Sequence, residues 1–335
     1  MRPLGITMGD AAGVGPEIAL RAFLDGDVRD NIIVIGDYSA LALCNEMLGL
    51  NAPLLRVGSP GEMREGYFNV LDLALLSRGE IPIGQLSGET GRAACAYVKR
   101  ATELALGDEI AGIVTLPINK EAVRLTMPDF TGHTEYIAAL CGEPDVTMML
   151  WSEKLVVTHV STHVSMRDAV DLVKKERVHA VIRLTRDALL GMAASPRIAV
   201  AGLNAHAGEH GAFGSEDMLE IAPAVEAARA EGIDASGPIA PDTVFFRTVR
   251  GEFDTVVCMY HDQGHIPMKF LDFEGGVNVT LGLPIIRTSV DHGTAFDIAY
   301  KGIASTRSYA LAVRMAQSMA AAQARAGANA EDRAI

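Results

Sequence analysis

Six of the nine histidines fall in three short stretches, and in each stretch the two are four residues apart. They are His159 and His163 in VVTHVSTHVSMRD, His206 and His210 in GLNAHAGEHGAFG, and His261 and His265 in VCMYHDQGHIPMK. Neutral imidazoles bind divalent transition metals, and two of them at i, i+4 on a helix clamp one zinc. The first stretch argues against that geometry within a pair. Its β-branched residues and alternation read as a strand. Four residues of straight strand span roughly 13 Å, whereas zinc–nitrogen bonds are about 2.0–2.1 Å. Gly208, Gly211 and Gly264 make the other two stretches read as loops rather than helices. One histidine from each stretch gives a three-histidine site with open positions, the pattern of a catalytic rather than a structural metal. The residues alone leave open which member of each pair takes part, and core or solvated loop histidines carry the same residue types.

Other polar groups sit where apolar runs stop. AGIVTLPINK ends on Asn119 and Lys120, RIAVAGLNAHAGE on Asn204 and His206, and VVCMYHDQG on His261. In open α/β sheets ligands bind beyond the carboxyl ends of the strands, so repeated endings of this kind point to one cleft. Asp242 and Asp262 stand in similar contexts. FTGHTEYIAAL puts His133 and Thr134 at the head of a helix, where Thr134 suits either an N-cap or a ligand contact. The segment MKFLDFEGGVNVTLGLPIIRTSVDHGTAFDIAYKGIAS offers Lys269, Asn278 and Arg287 as anion binders, then His292, Gly293 and Asp297 in a compact turn. ITMGDAAGVGPEIAL is a strand, a glycine-rich turn and a helix opened by Pro16. Its G-x-x-x-G-x-G spacing is neither the dinucleotide fingerprint nor a Walker A loop. A helix start there suits an anion as readily as it suits a tight connection.

Positioning such groups takes a sizeable scaffold. The 335 residues suit two lobes or one large α/β unit, and 49% apolar with 21% charged residues suits a packed core. Strand runs (LGIT, NIIVIG, AGIVTL, VTMMLW, LVVTHVS, RIAVAGL, TVVCMYH, GVNVTLGLP) alternate with helical stretches at 16–25, 39–48, 89–106, 119–126, 134–141, 168–172, 175–193, 216–230 and 307–325. This predicts an α/β fold with a mixed, largely parallel sheet. Several strands are continuously apolar, as expected where both faces are covered. The Ala-rich polar tail reads as frayed at its last residues. A net charge of −13 argues against nucleic-acid and anionic-membrane partners but leaves room for a small phosphorylated substrate in a local cationic pocket. Cys44, Cys95, Cys141 and Cys258 are widely spaced and read as free thiols. With no signal-peptide pattern at the start and no apolar run of membrane-spanning length, the expected location is cytoplasmic.

Taken together, ITMGDAAGVGPEI, LPINKEA, GHTE, STHVSMRD, GLNAHAGEHGAFGSED, PDTVF, MYHDQGHIP and GVNVTLGLPIIRTSVDHGTAFDIA resemble the 4-hydroxythreonine-4-phosphate dehydrogenases of pyridoxal phosphate biosynthesis. The likeness runs in order from about residue 4 to residue 304. It implies NAD-dependent, divalent-metal-dependent dehydrogenases that oxidise the C3 hydroxyl of a β-hydroxy acid, which then loses CO2. It also implies homodimers with a cleft between two α/β domains and metal ligands shared across the interface. The fold implied is that of the isocitrate and isopropylmalate dehydrogenases. The expected division is 1–130 with 290–335 on the NAD side, and 131–289 with the metal and substrate groups and the dimer contacts. Carried over by motif, the metal ligands are His163, His206 and His261. The substrate residues are His133, Thr134, Lys269, Asn278 and Arg287. By analogy with the more distant dehydrogenases, His292, Ala295, Asp297 and Ser305 face the NAD adenosine.

Asp242 and Asp262 are then candidates to orient the ligands. Lys269 is a candidate general base or an anion binder, and Arg287 suits a bidentate anion contact. HDQGHIP, where the biosynthetic enzymes typically continue with Leu-Pro, resembles a second branch acting on 4-phospho-D-threonate and 4-phospho-D-erythronate to give dihydroxyacetone phosphate and CO2. The alternatives are 4-phosphohydroxy-L-threonine and a cis-dihydrodiol dicarboxylate. Ala11 replaces the usual proline of the first loop. Zinc, manganese, cobalt and magnesium all remain open, as does NADP. A metal-dependent hydrolase on the same histidines would give the DHGTAFDIA loop no role. A non-catalytic metal or phosphate binder would not need ligands from three segments.

Overall fold

The computed structural model describes residues 2–143, 145–190 and 195–332, with side chains to residue 325. Twelve strands alternate with helices. The strands are β1 Leu4–Thr7, β2 Ile32–Gly36, β3 Leu54–Val57, β4 Phe68–Asp72, β5 Gly112–Thr115, β6 Thr147–Trp151, β7 Val156–His159, β8 Ile198–Ala201, β9 Ala235–Ile239, β10 Thr255–Cys258, β11 Val277–Leu281 and β12 Arg287–Val290. The α-helices are α1 Gly15–Leu24, α2 Tyr38–Met47, α3 Gly88–Leu106, α4 Lys120–Arg124, α5 His133–Cys141, α6 Met166–Asp171, α7 Lys175–Leu189, α8 Ala222–Ala230, α9 Pro241–Val249, α10 His261–Leu271 and α11 Arg307–Asp332. The sequence-read helix 175–193 runs past residue 190, and residues 191–193 lie outside the described residues, as do the last three of the tail.

The chain divides into two compact units, residues 1–144 with 283–321 and residues 145–282 with 322–335. In the first unit six strands run in the order β3-β4-β2-β1-β5-β12, every pair parallel. Parallel strands need helical crossovers on their faces, so their residues are apolar on both sides. Ile6, Ile33, Val34, Ile35, Val70, Ile113 and Val114 are accordingly sealed from solvent. In the second unit the order is β11-β6-β7-β10-β8-β9. Its β11–β6 and β6–β7 pairs are antiparallel and the rest parallel. One core of this unit joins Val181, Ile182 and Val178 of α7 to Val200, Val257 and Ile221. A second, on Leu150, Val157, Val256 and Val244, packs the opposite side with Met268 of α10. Mixed, mostly parallel α/β architecture is thus what the alternating pattern predicts.

Two helices run against the sequence reading. Residues 241–249 read as neither helix nor strand, yet Pro241 at the first position opens α9. HDQGHIPMK reads as loop because of Gly264, yet it is helix α10. Gly264 earns its place by contact: a Cβ there would stand 2.5 Å from Nε2 of His159 and 2.9 Å from Sγ of Cys258. The helix therefore lies closer to β7 and β10 than any other residue allows. The strand in LVVTHVS is also shorter than its pattern suggests. It stops at His159, and Ser161 turns off the sheet with its hydroxyl donating to the Met259 carbonyl at 3.0 Å.

Candidate functional site

In the second unit the histidines of two stretches converge. His261 is the first residue of α10, and its Nδ1 is 2.6 Å from Oδ1 of Asp262. A carboxylate only accepts, so Nδ1 carries the proton and Nε2 is left with a lone pair for a ligand. His265, one turn on, stacks on His261 with ring centroids 3.6 Å apart and planes 11° apart. Its own Nδ1–H donates to the His261 carbonyl at 3.0 Å. This is the i, i+4 pair on a helix that the loop reading excluded, but the two rings lie face to face and do not point at a shared ion.

His159 packs against His265 at 4.8 Å, fully buried, with Nδ1 3.3 Å from the Met148 carbonyl and Nε2 buried without a partner. Burial first, then the neighbouring His265, pushes its pKa down to about 3, so it is a neutral core residue. His163 lies past the strand end, exposed, with its ring 5.6 Å from that of His261. These two line a cavity of about 260 Å³ together with Met166, Tyr260 and Asp262.

His206 stands apart from them. It is exposed on the turn Ala205–Gly211, with its ring 6.1 Å from Phe213. His206, Ala207, Gly208, Glu209 and His210 all have positive φ, a left-handed run that costs non-glycine residues about 1–2 kcal/mol each. Buried Asp217, which the sequence reading missed, ties down the approach to this turn. Its carboxylate accepts from the backbone N–H groups of Leu203 and Asn204 at 2.8 and 3.1 Å and from the Asn204 side chain at 2.9 Å. Asn204 is thereby a structural residue, and the signal for it was the SED that follows the glycines. Among the described residues no three His, Cys, Asp or Glu side chains group as a metal requires. Among the described residues His163 and His261 stand together and His206 lies on another loop.

The remaining residues of this unit are dispersed. Asp262 reaches His261, whereas Asp242 is exposed in the first turn of α9. The Lys269 ammonium lies 5.6 Å from the centre of the Phe273 ring. On β11 the Oδ1 atom of Asn278 is buried with no hydrogen-bond partner.

The first unit holds a buried cation. Arg287 opens β12 and is 2% exposed. Its Nη2 donates to Oγ1 of Thr115 on β5 at 2.9 Å, and its Nη1 to Oγ1 of Thr134 on α5 at 3.4 Å. Burial lowers its pKa to about 10, partly offset by Glu135 nearby, so the guanidinium stays charged at neutral pH. Thr134 does not cap its helix. Gly132 occupies the N-cap and frees the Thr134 hydroxyl for Arg287. His133 has Nε2 buried without a partner. Burial, then Arg287 and Lys120, push its pKa well below the ordinary imidazole value, leaving it neutral. A buried cation, a neutral imidazole and the N-terminus of α5 form an environment that favours an oxyanion.

The glycine-rich turn and the DHGTAFDIA loop, far apart in sequence, meet in this unit. Val14 N–H donates to the Thr294 carbonyl at 3.0 Å, and a Cβ on Gly13 would stand 2.8 Å from that same oxygen. Gly84, which the sequence reading did not single out, joins them by donating to the Ala12 carbonyl at 2.8 Å, and its Cα lies against the Phe296 carbonyl. On this support His292, Asp297 and Ser305 are exposed, and Ala295 adopts a left-handed conformation ahead of the short turn Phe296–Ile298. They offer polar groups and an open surface of the kind an adenosine can use.

Comparison with known proteins fits this arrangement. The family described as pyridoxal phosphate biosynthetic protein PdxA matches residues 28–316. The chain belongs to the PdxA family. A D-threonate 4-phosphate dehydrogenase of Cupriavidus necator is 47% identical over 328 residues, covering 96% of this chain and 98% of its own. The solved structure of a 4-hydroxythreonine-4-phosphate dehydrogenase from Klebsiella pneumoniae superposes with a TM-score of 0.86 at 42% identity, over 96% of this chain and all of that one. A β-decarboxylating dehydrogenase of Thermococcus kodakarensis, 14% identical with a TM-score of 0.51, covers 94% of this chain and 82% of its own and shares the fold. As a PdxA-family protein the chain is a dehydrogenase, and that class of reaction calls for a nicotinamide cofactor. Among the described residues no helix is long and apolar enough to cross a membrane.

Proposed function

We propose that this PdxA-family protein oxidises the C3 hydroxyl of 4-phospho-D-threonate or 4-phospho-D-erythronate with NAD. The 3-keto acid then loses CO2 and takes a proton at C2, giving dihydroxyacetone phosphate. The observation that carries the reading is the 47% identity, over nearly both whole chains, to a protein named D-threonate 4-phosphate dehydrogenase. The buried Arg287 site gives it a chemical basis, since a phosphorylated hydroxy acid is anionic at both ends.

In this reading His133, Thr134, Lys269, Asn278 and Arg287 bind the substrate. Neutral His133 donates or accepts through Nε2 without adding charge. Lys269 is a general base or an anion contact. Asp262 keeps His261 in the tautomer that exposes Nε2, and Asp242 is the second candidate for orienting a ligand. His292, Ala295, Asp297 and Ser305 would hold NAD, which would supply the hydride acceptor, and His163, His206 and His261 would hold a divalent ion, which would supply polarisation of the C3 oxygen.

In this reading the chain works as a homodimer that shares its metal ligands across the interface. Helix α10, which starts at His261, leaves Ile266 and Phe270 on its outer face 66% and 90% exposed, with Phe273 just beyond it 74% exposed. Large apolar groups left bare beside a ligand suit burial against a second copy.

NADH formation by the zinc-, manganese-, cobalt- or magnesium-loaded protein tests the reading. The substrates to compare are the two aldonate phosphates, 4-phosphohydroxy-L-threonine and a cis-dihydrodiol dicarboxylate. Preference for an aldonate phosphate is expected, and preference for the amino acid or the diol overturns it.

A further inference from the structure

We propose that Lys120 is a further substrate-binding residue, its ammonium set with Arg287 to hold the phosphoryl group. This rests on the reading above for the identity of the ligand, while the placement stands on the first unit alone. Lys120 is the first residue of α4, the helix that follows β5, and β5 carries the Thr115 that holds Arg287. The start of α4 is fixed by Asn119, whose Oδ1 accepts from the Ala122 N–H at 2.9 Å. From there the lysine stem doubles back on α5. Its Cε and Nζ lie 3.4 Å from the point where a side chain on Gly132 would begin. Gly132 is the N-cap of α5, directly ahead of His133 and Thr134. The ammonium thus stands at the same helix end that Thr134 ties to Arg287, and the fields of both cations reach His133.

Among the described residues the Lys120 ammonium has no hydrogen bond or ion pair, although the chain carries a net charge of −13. The carboxylate nearest to this place is that of Glu135, whose Oε2 is 2.9 Å from the same point on Gly132. Two cations and a helix N-terminus kept together against one carboxylate repel each other until an anion arrives. A phosphoryl group, close to dianionic at neutral pH, matches two cations where a carboxylate matches one. The two side chains divide the work by shape: arginine offers a planar fork, lysine a compact point charge on a flexible stem. Gly132 permits the Lys120 stem to approach the backbone because it has no side chain to fill the space.

The experiment compares the wild-type protein with Lys120→Met and Lys120→Arg. Lys120 is exposed, so neither change threatens the core. Two readouts are taken: protection of each protein against thermal unfolding by inorganic phosphate, and steady-state NADH formation with 4-phospho-D-threonate and with unphosphorylated D-threonate. Lys120→Met is expected to weaken phosphate protection about tenfold in half-saturating concentration. It should also raise KM for the phosphorylated substrate by a similar factor with a smaller change in kcat, and leave D-threonate unaffected. Lys120→Arg should restore most of the loss. Wild-type phosphate affinity in Lys120→Met overturns the proposal, and so does an equal loss on both substrates with phosphate protection intact, which would assign the ammonium to the carboxylate. If no substrate is turned over even by the wild type, while Lys120→Met alone loses phosphate protection, the proposed reaction fails and the phosphate site stands.

Discussion

The Arg287 cluster of the first unit and the histidines of the second are built on opposite terms. Arg287 is buried with its two arms fixed by hydroxyls from β5 and α5, so each contact attracts the next and the site closes around itself. Neutral imidazoles have no such mutual attraction. His261 has Asp262 on Nδ1 and His265 stacked beneath it, His163 has its ring centroid 5.6 Å from that of His261, and His206 lies on a separate turn. Hydrogen-bonded groups hold one another directly, whereas neutral imidazoles gain mutual attraction only through a cation bound between them.

Removing the histidines should have the largest effect. Replacing His163, His206 or His261 by Ala is expected to lower NADH formation by more than about 10³-fold, given the several kcal/mol that a metal contributes. Titration calorimetry should show weaker metal binding in all three. Retained zinc affinity in His206→Ala would break the contrast by showing that this turn is not part of the centre.

Next comes Arg287→Met, which removes a charged pair of donors worth about 1.5–3 kcal/mol each. A loss of about 10²–10³-fold in kcat/KM is expected, and a loss under tenfold would mean that the anion is held elsewhere. Thr134→Val, which removes only a hydroxyl from one arm, should raise KM about three- to tenfold with kcat nearly unchanged. An unchanged KM would show that Thr115 alone suffices.

Smallest in daily terms is a pH effect at His159. The unfolded ring takes up a proton below about 6.5, but the folded one resists until about 3. Stability should therefore fall as pH drops from about 6.5 towards 3, with a slope of up to about 1.4 kcal/mol per pH unit from this residue. Urea midpoints of chelator-treated protein at several pH values check it. In His159→Phe the slope over that window should shrink, and an identical slope would show that His159 is not the group responsible.

The alternation of apolar runs and helical stretches made the fold class legible, because a parallel sheet demands strands such as NIIVIG with no polar face. The elements that escaped notice were those whose reason is tertiary. Nothing local in HDQGHIPMK announces a helix, since the permission for Gly264 comes from His159 and Cys258 across the unit. Of the candidate site residues, Arg287, His133 and Thr134, read from separate segments, stand in one cluster. What the sequence could not display was the division of labour within it. Thr134 surrenders the cap to Gly132, Asp217 rather than Asn204 organises the left-handed turn, and His265 serves as a platform for its neighbour.

The way the chain enters and leaves the second unit has a kinetic consequence. A Cβ on Gly282 would stand 2.5 Å from the carbonyl of Asp145, so the two ends of residues 145–282 lie side by side. Strand β12, with Arg287 as its first residue, pairs with β5 across that whole stretch. Closing so long a flexible loop is entropically slow. Once residues 145–282 have folded, the loop is effectively a short one. On the ribosome the first sheet must likewise wait for its last strand until the second unit has been made. Arg287 is therefore the latecomer of the fold, and the pocket it completes is a checkpoint that only a chain with both units folded can pass.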